Sequence, residues 1–547
     1  MLMAGSSTAA NRADSRRDTL WIAALLALTV AVCLQRPLLP IDETRYAAVA
    51  WEMWTRGDFL VPHLNGEPYH HKPPLLFWLI HAGWSVFGVN AWWPRLISPL
   101  FAAGTLALTV VLARQLWPER PAVARIAPFI LVASLLFVYF ASALMFDTMM
   151  SFFVALGFVG IAKAWRDMGK DGGRGSGGAA GFGLLLLGMG GALYSKGPVA
   201  LVHLLPAALL APWWMREQRP RWGRWYAGVL MALLGGAALI LAWAVPAGIA
   251  GGPDFQRAIF WGQSAGRMVK SFSHQAPWWF YFAWMPLGLV PWLLWPRWWG
   301  GVRHALWQES GSRLVLLGML FALLFFSIIS GKRPHYLLPE FALFALFCAR
   351  ALVDRPGTRW SLVAPALMLA AAGTAAIVAA PRLAARLAGL DEASALYAGG
   401  ALAVVCGAAL LAFKPGDALA DVRRVATAAL IAVCGLMVSF EVAMREPYDI
   451  DVVAGRLAQY EREGRPLAVE GNYHGTWTFA GRLRQPLAEL GDHQVAAWLA
   501  EHPEGRVLFI YRQASEIPAG LSVQYSRRYR GAWLAILGAP GSAPAKP

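Results

Sequence analysis

Apolar runs recur along almost the whole of this 547-residue chain, and each is close to the roughly 20 residues that a helix needs to cross a bilayer. About thirteen read as spans by that length, near residues 19–35, 95–116, 124–141, 143–165, 180–195, 197–215, 226–250, 278–296, 313–330, 335–353, 360–380, 396–413 and 425–444. A water-soluble fold has no place for so many. With 57% of its residues hydrophobic, 15% charged and 27 tryptophans, the chain lacks the polar surface to cover a globule. The sequence therefore predicts an all-α polytopic membrane protein.

A formal net charge of +16 invites a nucleic-acid reading, but the cations are not spread as a patch. They gather at alternate loops, around Arg12–Arg17, Arg114–Arg125, Lys163–Arg174, Arg216–Arg224, Arg297–Arg313, Arg350–Arg359 and Lys414–Arg424. Such alternation is the positive-inside signature. It places the N-terminus in the cytoplasm and, with an odd number of spans, the C-terminal end outside. Much of the basic charge is thus topological, and no nucleic-acid partner is expected. Cys33, Cys348, Cys406 and Cys434 all fall in apolar runs without CxxC spacing, as core or lipid-facing thiols do. No small-residue cleavage site follows the first run, so it is expected to stay as an uncleaved helix.

Outward segments then stand out. Residues 36–94 are far longer than a link between packed helices requires. Within them "DETRYAAVAWEMW" carries Tyr46, Val49, Ala50, Met53 and Trp54 at helical spacing, which suits a helix in the interface plane. "GKDGGRGSGG" at 169–178 reads as a flexible cytoplasmic linker, and "GMGGAL" at 188–193 as glycine in an apolar helix rather than a nucleotide loop. From about Glu446 onward, short β-like runs ("PLAVEGNYH", "RVLFIYR", "YRGAWLAIL") surround a helical "DHQVAAWLAEH". The expected organisation is a transmembrane catalytic domain over 1–445, with periplasmic segments at 36–94 and 251–277, and a small soluble periplasmic α/β domain over 446–547.

Two acids sit at the outer ends of apolar runs: Asp42 after the first and Asp147 at the start of the fourth. A carboxylate in a span costs about 2.5–3.5 kcal/mol on insertion scales and so faces a polar cavity or a partner. A helix cap for Asp42 and a paired cation for Asp147 are the competing structural readings. Outward loops also collect Glu67, Tyr69, His70, His71 and Lys72; Lys196; Arg257, Arg267, Lys270 and His274; and Lys332, Arg333, His335 and Tyr336. On the outer face such cations need a reason other than topology. Snorkelling to headgroups accounts for any one of them; a bound phosphate accounts for the set. Acids and cations together suit sugar transfer from a lipid-linked phosphate, in which a carboxylate offsets oxocarbenium charge and cations receive the leaving phosphate.

At these residues the chain resembles a known family. "DETRYAAVAWEMWTRGDFLVPHLNGEPYHHKPPLLFWL", "FDTMMSFF", "SKGPVAL", "FWGQSAGRMVKSFSHQAPWW" and "SGKRPHYLLP" are similar to the polyprenyl-phosphate-dependent glycosyltransferases of the C-type (GT-C) fold. The nearest branch is the bacterial lipid A aminoarabinose (4-amino-4-deoxy-L-arabinose) transferases, relatives of protein O-mannosyltransferases. The resemblance spans about residues 40–340, and implies Asp42 and Asp147 as the catalytic acids. It implies Tyr69, Lys72 and Arg257 as ligands of the donor phosphate, to which the outward cation set adds Lys196, Lys332, Arg333 and Tyr336. One departure matters: a typical member has glutamate before the "KPP" lysine, and here His71 stands there, preceded by His70. With Glu67 these form a candidate site for a divalent metal such as zinc, though adjacent histidines diverge unless the backbone turns. No cofactor is otherwise required.

The function implied is transfer of 4-amino-4-deoxy-L-arabinose from undecaprenyl phosphate to a lipid A phosphate at the periplasmic face of a bacterial inner membrane. That would lower the negative charge of lipid A and its attraction for cationic peptides such as polymyxin. Two alternatives stand beside it. The same fold can deliver another polyprenyl-linked sugar to protein or glycolipid. A transporter or flippase also buries acids, but the two halves of this chain show no internal repeat.

Overall fold

Eight helices among the described residues are long and apolar enough to cross a membrane, or nine if the bent pair Pro121–Val132 and Leu135–Ala141 is one span. The chain is a multi-pass membrane protein. The computed structural model describes residues 2–170, 178–261, 275–302, 307, 309–387, 393–491 and 493–541. Arg267, Lys270, His274 and most of the 169–178 linker lie outside them.

Other apolar runs of the sequence form shorter or broken helices. The run at 124–141 bends by 69° between its two pieces. The run at 197–215 divides into the turn Pro198–His203 and the short helices Leu205–Leu209 and Ala211–Trp214, and Glu340–Leu352 is 13 residues long. Proline explains several breaks, because it lacks an N–H and clashes with the preceding turn. Broken backbone is tolerated at membrane depth only where protein surrounds it. That condition is met: Ala207, Ala208, Ala211 and Trp214 are fully buried. Trp214 and Trp225 donate their indole N–H groups to the Ala207 and Ala208 carbonyls at 2.8 and 2.9 Å. Tryptophan here caps interrupted helices.

Helices Phe146–Lys170 and Ala179–Lys196 form an antiparallel pair. Glycine lets them touch backbone to backbone, since a Cβ at Gly188 would lie 2.6 Å from the Gly157 nitrogen and one at Gly160 2.5 Å from that of Leu185. Close approach of this kind is the usual service of small residues between membrane helices. It accounts for glycines of the "GMGGAL" stretch.

The first outward segment is ordered throughout. Helix Asp42–Arg56 has both acids in its first turn, Arg56 in its last and Gly57 as a left-handed C-cap at φ 70°, all favourable to its dipole and its carbonyl end. Tyr46, Val49, Ala50 and Met53 are buried as their spacing predicts, but so are Ala47, Ala48 and Trp51 on the other side. A turn at Asn65-Gly66, both with positive φ, closes a short hairpin of β1 (His63–Leu64) and β2 (Glu67–Pro68). Asn-Gly favours such turns because both positions need positive φ. Helix Leu75–Phe87 follows.

After the long helix Ala418–Tyr448 the chain builds one mixed sheet in the order β4-β3-β5-β7-β6. Strands β3 (Leu467–Glu470), β4 (Ala488–Leu490) and β5 (Arg506–Tyr511) are parallel, while β6 (Ser522–Tyr529) and β7 (Ala532–Gly538) add antiparallel. Helices Asp451–Arg462 and Val495–Glu501 cover separate hydrophobic clusters against it. The sheet is tied to the first outward segment. Asn65 exchanges two hydrogen bonds with the Leu487 backbone at 2.8 and 2.9 Å, and Trp51 donates to the Leu483 carbonyl at 2.8 Å. Trp84 stacks on Phe479 with ring centroids 5.4 Å apart. This contact covers the outer side of the 42–56 helix.

Candidate active site

Because the glycine-packed helices run antiparallel, the first turn of one meets the last residue of the other. Lys196 donates to the Asp147 carboxylate at 2.5 Å, and Asp147 is buried. The same ammonium stands over the Tyr336 ring, 4.6 Å from its centroid, a cation–π contact. Tyr336 shares the short turn Pro334–Leu337 with His335. That imidazole is pushed down to about 4, first because burial disfavours its charge and only partly offset by Asp147; Lys196 lowers it further and Asp42 opposes. Lys196, His335 and Lys72 all act electrostatically on Asp147.

Asp42 begins its helix with a side chain 48% exposed and, among the described residues, one ion pair, to Arg45 at 3.6 Å. Buried Tyr46 lies one turn on. Its hydroxyl is held well above the ordinary phenol range, by burial first and then by Tyr69, Asp42 and Asp147. Both Tyr46 and His335 thus sense both carboxylates, so Asp42 and Asp147 belong to one electrostatic neighbourhood. Buried rings pack together here: Tyr46 meets Phe146 edge to face at 4.9 Å, Phe146 meets Phe77 at 5.6 Å, and Phe77 meets Tyr69 at 6.4 Å.

Glu43, adjacent to Asp42, does something else. Its buried carboxylate takes Arg36 bidentately at 2.6 and 2.5 Å and accepts the backbone N–H groups of Leu39 at 2.8 Å and Leu144 at 2.6 Å. Arg36 in turn donates to the Ser142 carbonyl at 2.6 Å. This network joins the exit of the first helix to the turn before Asp147. It fixes the two aspartates relative to each other, and no apolar pattern signals it; the only hint in the sequence is an arginine six residues before an acid pair.

The remaining candidates divide. Lys72 lies near Asp147 in electrostatic terms, half-buried, with its ammonium 3.5 Å from the His71 carbonyl. Tyr69 is buried, and its ring lies 5.2 Å from that of His71. Lys332 is buried, donating to the carbonyls of Ile329 and, at 3.0 Å, Ala276, and burial lowers its affinity for a proton. It clamps the 276 backbone to the 329–332 turn. Arg333 is exposed, and its carbonyl accepts from the Tyr281 hydroxyl at 3.1 Å. Arg257 is exposed and ion-paired to exposed Asp254 on its own short helix, away from the carboxylate pair in its described contacts. His70 and His71 stand edge to face with centroids 4.5 Å apart, and Glu67 is exposed on β2. Among the described residues no group of three or more His, Cys, Asp or Glu is set to hold a metal ion.

The sheet also reaches this neighbourhood. His474, on the loop after β3, senses Arg45, Glu489 and Asp42, and is pushed below its ordinary range by burial first and Arg45 next. Gly475 beside it has φ +73°, and a Cβ there would meet the Ala48 Cβ at 2.6 Å.

Residues 19–249 match the family model described as dolichyl-phosphate-mannose-protein mannosyltransferase. The crystal structure of ArnT from Cupriavidus metallidurans bound to undecaprenyl phosphate superposes with a TM-score of 0.75, covering 97% of this chain and 99% of that one at 18% identity. The chain has the fold of that protein. Two curated relatives carry the name undecaprenyl phosphate-alpha-4-amino-4-deoxy-L-arabinose arabinosyl transferase. The one from Pseudomonas fluorescens (strain Pf0-1), numbered 2, is 31% identical over 345 residues, 60% of each chain. The one from Pseudomonas aeruginosa PAO1 is 34% identical over 322 residues, 57% of this chain and 55% of its own. The match thus spans less than two thirds of these relatives. The family-model match includes both aspartates and Lys196, while the fold shared with the ArnT structure covers 97% of the chain.

Proposed function

We propose that this chain is a glycosyltransferase of a bacterial inner membrane that moves 4-amino-4-deoxy-L-arabinose from undecaprenyl phosphate to a lipid A phosphate, with its active site and C-terminal sheet on the periplasmic side. In this reading the shorter and broken helices complete about thirteen crossings. One observation supports it: carboxylates from two separate helices act electrostatically on the same two groups, Tyr46 and His335, beside the Lys196 that holds Asp147. The names of the relatives and of the ArnT structure supply the sugar and the carrier.

The chemistry follows from charge. An oxygen of the acceptor phosphate attacks the anomeric carbon while the bond from that carbon to the carrier phosphate breaks, its electron pair leaving with the phosphate. The nucleophile is already ionised at neutral pH, so no general base is required. Positive charge grows on the sugar and falls to Asp42, the acid with only a distant partner. Negative charge grows on the departing phosphate and falls to Lys72 and to Lys196, whose remaining N–H bonds are aimed by Asp147 and the Tyr336 face. Tyr69 belongs to the same neighbourhood. Arg257 and Arg333 are outer cations that would meet the phosphate only as the donor enters.

The family model's name favours a second reading, a mannosyl donor and a protein hydroxyl as acceptor. An alcohol needs its proton removed, and Asp42 would then be the base. Mass spectrometry of lipid A from cells carrying the active chain or its Asp42→Asn variant separates the two. A mass gain of one aminopentose that vanishes in the variant supports the transfer; unmodified lipid A with glycosylated protein overturns it.

A further inference from the structure

At the outer ends of three spans the structure leaves a cavity of about 210 Å³ lined by Gln35, Arg36, Arg95, Arg445, Asp449 and Asp451. Gln35 ends the first helix, Arg95 lies in the first turn of Trp92–Leu116, and Arg445 in the last turn of Ala418–Tyr448. The cavity therefore opens where spans leave the lipid, at headgroup level, and the catalytic scheme does not use it.

Its charges are arranged unusually. Arg36 is satisfied by Glu43 and by Glu441 at 3.8 Å. That leaves Arg95 and Arg445 facing Asp449 and Asp451, yet among the described residues no ion pair joins either arginine to either acid. Among the described residues the Arg95 guanidinium makes one hydrogen bond, at 3.4 Å to the Leu34 carbonyl, and its buried Nε has no hydrogen-bond partner. Asp451 senses both the like charge of Asp449 and the opposite charge of Arg95. Two cations and two anions therefore line one headgroup-level cavity with no ion pair between them among the described residues, and Asp449 uses one of its two oxygens to accept the Asp451 backbone N–H at 2.8 Å. A net anion would satisfy the arginines and leave the acids repelled; a simple amine would do the reverse. A zwitterion matches both.

We propose that this cavity binds a membrane lipid whose headgroup joins a phosphodiester to a primary amine, as in phosphatidylethanolamine. The phosphate sits at Arg95 and Arg445 and the ammonium at Asp449 and Asp451. A primary amine offers three N–H donors to the acids, which a quaternary amine cannot. The cavity volume is below that of a drug-sized pocket, which starts at about 300 Å³, and suits a headgroup rather than a whole lipid.

The test uses the full-length chain, purified in detergent and examined by native mass spectrometry with equal amounts of dioleoyl-phosphatidylethanolamine, dioleoyl-phosphatidylcholine and dioleoyl-phosphatidylglycerol. The expected result is retention of the ethanolamine lipid about tenfold over the other two, the effect of one lost charged hydrogen bond. Arg445→Gln weakens the ethanolamine and glycerol lipids alike. Asp449→Asn weakens the ethanolamine lipid and strengthens the glycerol lipid, an opposite pattern that loss of folding cannot mimic. Equal retention of all three lipids, or a preference that survives both substitutions, overturns the proposal. Displacement of the lipid by an equal concentration of free O-phosphoethanolamine overturns the lipid assignment.

Discussion

Lys196 holds the buried Asp147 carboxylate at 2.5 Å while resting on the face of Tyr336. Three separate elements thereby meet at one ammonium. Removing one member of such a pair strands the other charge, at about 3–5 kcal/mol. Asp147→Ala and Lys196→Met should therefore each lower the unfolding temperature in detergent and abolish transfer. The double variant should regain most of the stability and none of the activity. Recovery of transfer in the double variant would show that the pair serves folding alone.

Neighbouring acids should behave oppositely. Glu43 is enclosed by Arg36 and two backbone N–H groups, so Glu43→Ala should cost about 3–5 kcal/mol of stability. Asp42 is half exposed with a long ion pair, worth about 0–1 kcal/mol to the fold. Asp42→Asn should leave the melting temperature nearly unchanged and lower transfer by about a hundredfold or more. Thermal unfolding and lipid A mass spectrometry on both variants decide it, and an active Asp42→Asn sinks the role given to that acid.

Asp42, Asp147 and Lys196 stand out as candidates in the sequence because a charge at the outer edge of an apolar run is costly and so conspicuous. Glu43 was not, since helical phase alone cannot say which of two adjacent acids turns inward; Arg36 and the turn at 142–145 decide that, and they come together only in three dimensions. The buried role of Lys332 was hidden for the same reason: a lysine that clamps two carbonyls looks, in sequence, like one awaiting a phosphate. Run length foretold a many-helix membrane protein but not which runs would break. A run packed against protein tolerates a break at Pro206 that lipid would not. The sheet was visible as β-like runs, whereas short β4 and the polar β6 lacked the apolar character that marked β5 and β7.

Acid should loosen the site through His335. Its folded affinity for a proton is pushed from the ordinary 6.5 to about 4, so in that window the unfolded chain binds the proton more readily. The contribution of this group is then fully present above about 6.5 and is lost as pH falls toward about 4. Melting temperature measured across that range should fall more steeply in the parent than in His335→Gln. Parallel curves would mean that the imidazole is not held neutral.

The C-terminal sheet should be needed by the site it touches. Asn65 binds the Leu487 backbone twice, Trp84 stacks on Phe479, and Gly475 packs on Ala48 within the helix that Asp42 begins. Asn65→Ala leaves a backbone N–H and C=O at Leu487 unpaired, at about 1–3 kcal/mol. Gly475→Ala forces a left-handed residue and a 2.6 Å contact onto the same surface. Both substitutions avoid every charged group of the catalytic scheme. Each should make the chain beyond residue 446 easier to release by limited proteolysis, and each should lower transfer in proportion. If release rises while transfer holds, the sheet is a cover and not a wall of the chamber.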